Sequence, residues 1–207
     1  MGGWGCPHED NGSCTRRGTA CRPGEDGCVL EERPGREDPD PFSGLSAWFE
    51  ALASPAPTPA GGALAFVTLA GTAALAAKAA RAGGGAPGRF VARVRTFLEG
   101  AAEDARGYSE TASGPSGARM RFLARGLERL EGAAAFVDEL ADLAARVRGA
   151  LRPDVTAAER LAREAAWVLA ENLAFNAESW GIAWGEPERG RLERARRRLS
   201  PPGGARP

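Results

Sequence analysis

The sequence predicts an all-α fold, an antiparallel bundle of five to six helices preceded by a small irregular cysteine-rich segment. Three observations predict it. Apolar residues recur every three to four positions through most of the chain after residue 43, no stretch of strand length alternates with period two, and Gly and Pro clusters separate the helical runs. With 207 residues, 43% of them hydrophobic, the chain can bury one core of ordinary domain size and is too short for two large domains. The spacing divides it into a cysteine-rich segment over 1–40, a helical domain over 43–185 and a basic tail over 186–207. No repeat of helical-hairpin length appears, which excludes a solenoid.

Each element has its own signature. Ser43 is placed to cap a short helix with Leu45, Trp48, Phe49 and Leu52 on one face, which the prolines from Pro55 onward end. After the loop Pro57-Thr58-Pro59-Ala60-Gly61-Gly62, a small-residue helix over 63–82 stops at Gly83-Gly84-Gly85. Its bulky apolar groups are few and Lys78 interrupts it, so it reads as a buried helix with close neighbours and not as a membrane span. Pro87 opens a third helix whose stripe runs from Phe90 through Val94 and Phe97 to Tyr108. A long helix is expected over 118–151, about 50 Å if unbroken, with Phe122, Leu123, Leu127, Leu130, Val137 and Leu140 on its apolar side. Arg152-Pro153-Asp154 ends it, Thr156 and Glu159 have the spacing of a capping box for the next helix, and Gly181 terminates that helix. A last helix is expected from Pro187 to Leu199.

The four cysteines, Cys6, Cys14, Cys21 and Cys28, all fall in the first segment, which lacks the apolar residues for a core of its own. Four thiolates there form a ligand set for zinc or an iron–sulfur cluster, which would supply the missing folding energy. The spacing matches neither paired knuckles nor a bacterial cluster motif, so two disulfides or four reduced thiols remain open. His8 is the sole histidine, which leaves carboxylates, backbone amides and water for any chemistry in the helical body. Met1 to His8 has neither the basic nor the apolar stretch of a secretory signal, and the expected setting is cytoplasmic. Lys+Arg and Asp+Glu both number 27, a balance that argues against a dedicated nucleic-acid binder. The arginine-rich run from Arg191 to Arg198 reads as a solvated helix end, with RNA or an acidic partner as the alternative.

The loop from Ser54 to Gly62, followed by an Ala-rich helix with Leu69-Ala70-Gly71, resembles the opening of the formiminotetrahydrofolate cyclodeaminase and methenyltetrahydrofolate cyclohydrolase family. Glu103-Asp104-Ala105 with Tyr108, Asp154-Val155, and the late Ala-rich stretch with Asn172 and Asn176 are similar to later segments of that family, in the same order over about 43–180. The resemblance implies a helical homodimer that binds a tetrahydrofolate derivative and opens or closes the ring bearing its one-carbon unit. On the same ground Asp154 is the expected catalytic acid, and Thr58, Pro59, Gly61, Gly62, Asp104, Asn172 and Asn176 are substrate contacts around a folate-sized cleft. The plain readings stand beside these: a helix cap for Asp154, a solvated charge for Asp104. Ala60 stands where the family's first loop glycine would be, and Arg81 to Ala86 replaces its lysine-containing segment. These departures leave an alternative in which the chain keeps the dimeric fold as a catalytically degenerate accessory subunit that holds a metal or cluster for a partner enzyme. Neither nucleic acid nor a membrane is expected as a partner.

Overall fold

A computed structural model describes residues 48–50, 52–53, 61–83, 85–112 and 114–200, with the backbone of Glu9–Asp10, Ser13–Cys14 and Thr19–Ala20. Two compact units are distinguished, Met1–Glu50 and Ala51–Pro207. In the first, the two-residue strands β1 (Glu9–Asp10), β2 (Ser13–Cys14) and β3 (Thr19–Ala20) pair antiparallel in that order, with Cys14 opposite both Glu9 and Thr19. A segment expected to be irregular thus contains a short meander, since antiparallel neighbours need only tight turns between them. The side chains of Cys6, Cys14, Cys21, Cys28 and His8 lie outside the described residues, as do Thr58 and Pro59.

The second unit is all-α. Its helices are α1 (Gly61–Ala82), α2 (Gly88–Ala112), α3 (Ser116–Arg146), α4 (Arg152–Ser179) and α5 (Glu186–Leu199). Residues 52–53 of this unit are also helical, as are residues 48–50 of the first. Helix α1 packs against α2 and α4, and α3 packs against α4 and α5, whereas α2 and α3 touch lightly. Short links make successive helices antiparallel, so the order around the bundle is α2, α1, α4, α3, with the α2–α3 seam the loosest.

Alanines let α1 sit deep. Ala73, Ala76 and Ala79 are fully buried, in one core cluster with Phe90 of α2 and with Leu130, Phe136, Val137 and Leu140 of α3. Phe97 and Phe136 meet with ring centroids 5.2 Å apart and planes at 60°. Helix α1 is, among the described residues, the one helix long and apolar enough to cross a membrane, and 61% of its most apolar window is buried inside the bundle.

Three expected boundaries move. Helix α1 begins at Gly61, taking both glycines into its first turn. Helix α3 ends at Arg146, because Val147 and Arg148 are extended and Gly149 takes φ 65°, after which a 3₁₀ turn, Gly149–Leu151, leads directly into α4. The capping box at Thr156 does not form: α4 has already started at Arg152 with Pro153 in its first turn, and Glu159 accepts from Arg163 at 2.7 Å. Its far end follows expectation, with Gly181 at φ 63° and the Ile182 N–H donating to Ala177 O at 2.9 Å.

Helix α5 belongs to the bundle and is not a separate tail. Leu192, Ala195 and Leu199 are buried. Three of its arginines are tied to neighbouring helices: Arg191 donates two bonds of 2.8 Å to Glu131, Arg196 pairs with Glu171 at 3.0 Å, and Arg198 pairs with Asp138 at 2.5 Å. The paired Arg191 guanidinium holds the Glu131 carboxyl below its ordinary value, chiefly through the hydrogen bonds. Arg191→Ala is expected to cost about 1 kcal/mol in urea unfolding at pH 7, as befits a half-exposed forked pair. The deficit should shrink below pH 4.5, where Glu131 is protonated in the unfolded chain and then in the folded one.

Candidate functional site

One end of the bundle gathers polar side chains from four helices. The first turn of α1 brings Gly62 and Phe66, late α2 brings Glu103 and Asp104, early α3 brings Arg125, Gly126 and Arg129, and late α4 brings Asn172 and Asn176. The two glycines explain how close the approach is. A Cβ on Gly62 would lie 2.3 Å from Asp104 Oδ2, and one on Gly61 would lie 2.7 Å from Asn172 Nδ2. Both side chains therefore rest directly on the backbone that opens α1, where free N–H groups favour an acceptor.

Asp104 is the distinctive group. Burial pushes its carboxyl up to about 6, partly offset by the hydrogen bond it accepts from the Ala63 N–H. A carboxyl poised there exchanges a proton readily near neutrality, the property required of a general acid or base. Beside it, burial lowers the Arg129 guanidinium from its ordinary value. Arg129 pairs with Glu103 across the loose α2–α3 seam and stands 5.9 Å from the Phe66 ring centroid. An aromatic cluster borders the site: Phe122 meets Trp180 at 5.7 Å, and Tyr108 meets Trp180 at 6.1 Å. The cavity there is small, about 40 Å³, room for about three waters and far below the roughly 300 Å³ at which ligand pockets begin. The folate-sized cleft expected from the sequence is not open in this conformation.

Gly61, Gly62, Asp104, Asn172 and Asn176 are thus brought together, although more than 100 residues separate the first from the last. Asp154 is not among them. It is exposed in the first turn of α4, and the helix rises about 27 Å between it and Asn172. Within one chain its carboxylate does not reach the cleft, whose lining carboxylates are Glu103 and Asp104. Among the described residues no group of three or more His, Cys, Asp or Glu side chains is arranged to hold a metal ion.

The residues that α3 contributes are not among the expected contacts. Phe122 belongs to the apolar stripe, while Arg125, Gly126 and Arg129 share its side of α3 and flank Leu123, Leu127 and Leu130. Those flanking charges are the available signal. Gly126 is required by packing, since a Cβ there would lie 2.3 Å from Leu173 Cδ2. No family model, curated protein or solved structure matches the chain.

Proposed function

We propose that this bundle end binds a tetrahydrofolate one-carbon derivative and acts on it as a cyclohydrolase of 5,10-methenyltetrahydrofolate or a cyclodeaminase of formiminotetrahydrofolate. The observation that carries this reading is the convergence of Gly61, Gly62, Asp104, Asn172 and Asn176, residues singled out from distant segments by one family resemblance. Asp104 then moves the proton: as the carboxylate it activates water toward the amidine-like carbon, and as the acid it protonates the departing nitrogen. The Asn172 and Asn176 amides and the N–H groups at the start of α1 hold the polar edge of the ring. Substrate enters by parting α2 from α3, the loosest of the four seams around the bundle, which breaks the Glu103–Arg129 pair.

The test is the absorbance of methenyltetrahydrofolate. Purified protein should accelerate its loss over buffer, and Asp154→Asn should match wild type. An unaccelerated wild type would refute the reading.

The narrow cavity favours a second reading, an accessory subunit that keeps the fold without catalysis and whose four cysteines hold zinc or an iron–sulfur cluster for a partner enzyme. It predicts metal in purified protein, lost on Cys14→Ser, and no catalysis. Metal-free wild type would remove it.

The homodimer is proposed through the outer faces of α1 and α4. Leu161, Val168 and Phe175, all exposed, repeat every seven residues on α4, and Leu64 and Leu75 are exposed on the adjacent α1. Sedimentation should show a species of about 43 kDa, twice the 21.6 kDa chain. Val168→Arg should weaken self-association at least about tenfold, by placing a charge in the middle of the stripe. A monomeric wild type would contradict it.

A further inference from the structure

The opposite end of the bundle holds a larger cavity of about 680 Å³, between the C-terminal end of α1, the start of α2 and the turn that joins α3 to α4. Its volume is that of a small-molecule site. Ala80, Gly83 and Ala86 form a smooth wall, and the floor is apolar, built from Phe90, Leu143, Val147 and Leu151. Among the described residues, Arg89, Arg146 and Arg148 are the charged ones that line it, and no carboxylate does. This distinguishes them from Arg191, Arg196 and Arg198 of α5, whose guanidinium groups are met by Glu131, Glu171 and Asp138. Arg146 Nε donates to Asp142 O at 3.0 Å, and Arg148 Nη1 donates to Ala145 O at 2.7 Å. Main-chain carbonyls therefore orient these two guanidinium groups without neutralising them. Arg89 stands over the Phe90 ring, 4.5 Å from its centroid.

We propose that this cavity binds an amphiphilic anion, a molecule with a medium-length hydrocarbon body and a single carboxylate or phosphate head. The apolar floor and the small-residue wall accept the hydrocarbon, and the arginines at the rim accept the head by forked hydrogen bonds. A polyanion without an apolar body would leave the floor wet, and a neutral lipid would leave the guanidinium groups without an anion. The site is separate from the Asp104 cleft and does not depend on the reaction assigned there.

The test is calorimetric titration of the full chain with laurate, dodecyl phosphate and dodecanol, each below its micelle concentration. At least one anion should bind with one-to-one stoichiometry, and dodecanol should bind at least about tenfold more weakly. The more tightly bound of the two anions identifies the head group. The double variant Arg146→Gln/Arg148→Gln should lose at least about tenfold in affinity, because both charge-assisted donors are replaced. Ala86→Trp, which fills the cavity from an exposed position, should abolish binding, and Asp104→Asn should leave it unchanged. The proposal is overturned if neither anion binds, if dodecanol binds as tightly as they do, or if either cavity variant binds like wild type.

Discussion

Asp104→Asn is expected to stabilise the protein at pH 8 by about 2 kcal/mol while lowering the proposed turnover of methenyltetrahydrofolate at least about 100-fold. Both effects have one cause. Folding moves the Asp104 carboxyl from 3.8 to about 6 because burial strips water from the charge, and a shift of that size makes the ionised form costly by about 3 kcal/mol. The sign follows from proton binding. Between pH 3.8 and about 6 the folded chain holds the proton and the unfolded chain does not, so stability falls as pH rises through that window and is level above it. Asparagine keeps the shape and an acceptor for the Ala63 N–H but never ionises. It therefore recovers most of the cost, less about 1 kcal/mol for a bond no longer charge-assisted. Urea unfolding from pH 4 to pH 8 reads this directly: the two proteins should converge near pH 4 and separate above pH 6. A variant less stable than wild type at pH 8 would show that the ionised carboxylate contributes to the fold.

Gly62→Ala carries the second large effect, a loss of about 1–3 kcal/mol together with the loss of turnover. The added methyl would stand 2.3 Å from Oδ2 and 2.7 Å from the carboxyl carbon of Asp104, a contact that cannot persist. Either the carboxylate or the first turn of α1 must move, and both are parts of the site. Asp104→Ala supplies the control. With that carboxylate absent, Gly62→Ala should cost less than about 0.5 kcal/mol, because alanine suits a helix better than glycine. A penalty of equal size in both backgrounds would place the clash elsewhere. Gly61→Ala should be milder, since the Asn172 amide that its methyl would meet can turn aside.

The helices were legible because their apolar spacing is unambiguous, and α1 in particular because only a helix pressed between close neighbours uses so much alanine. Their ends were less so. Apolar periodicity runs through Val147 to Leu151, and nothing in it reports that Arg148 is extended or that Gly149 has crossed to positive φ. Glu159 fits a capping box and an ion pair with Arg163 equally well, and which one forms depends on where α4 starts. The glycine pair, Asp104 and the two asparagines come together as the resemblance implies, whereas Arg125 and Arg129 belong to no motif and show only as charges beside the stripe of Leu123, Leu127 and Leu130. Asp154 stands apart from that set, because on one continuous helix it is about 27 Å from Asn172. A carboxylate in a first turn looks the same whether it caps or catalyses.

The arginines of α5 bear on how this protein should be handled. The stretch after Gly185 carries seven arginines against three glutamates, so a chain shortened there would go from neutral to a net charge of −4. It would also leave Glu131, Asp138 and Glu171 without their partners and uncover the surface beneath Leu192, Ala195 and Leu199. Trimming at the compositional border would therefore give an acidic, adhesive fragment, whose poor solubility would come from the cut and not from the native chain.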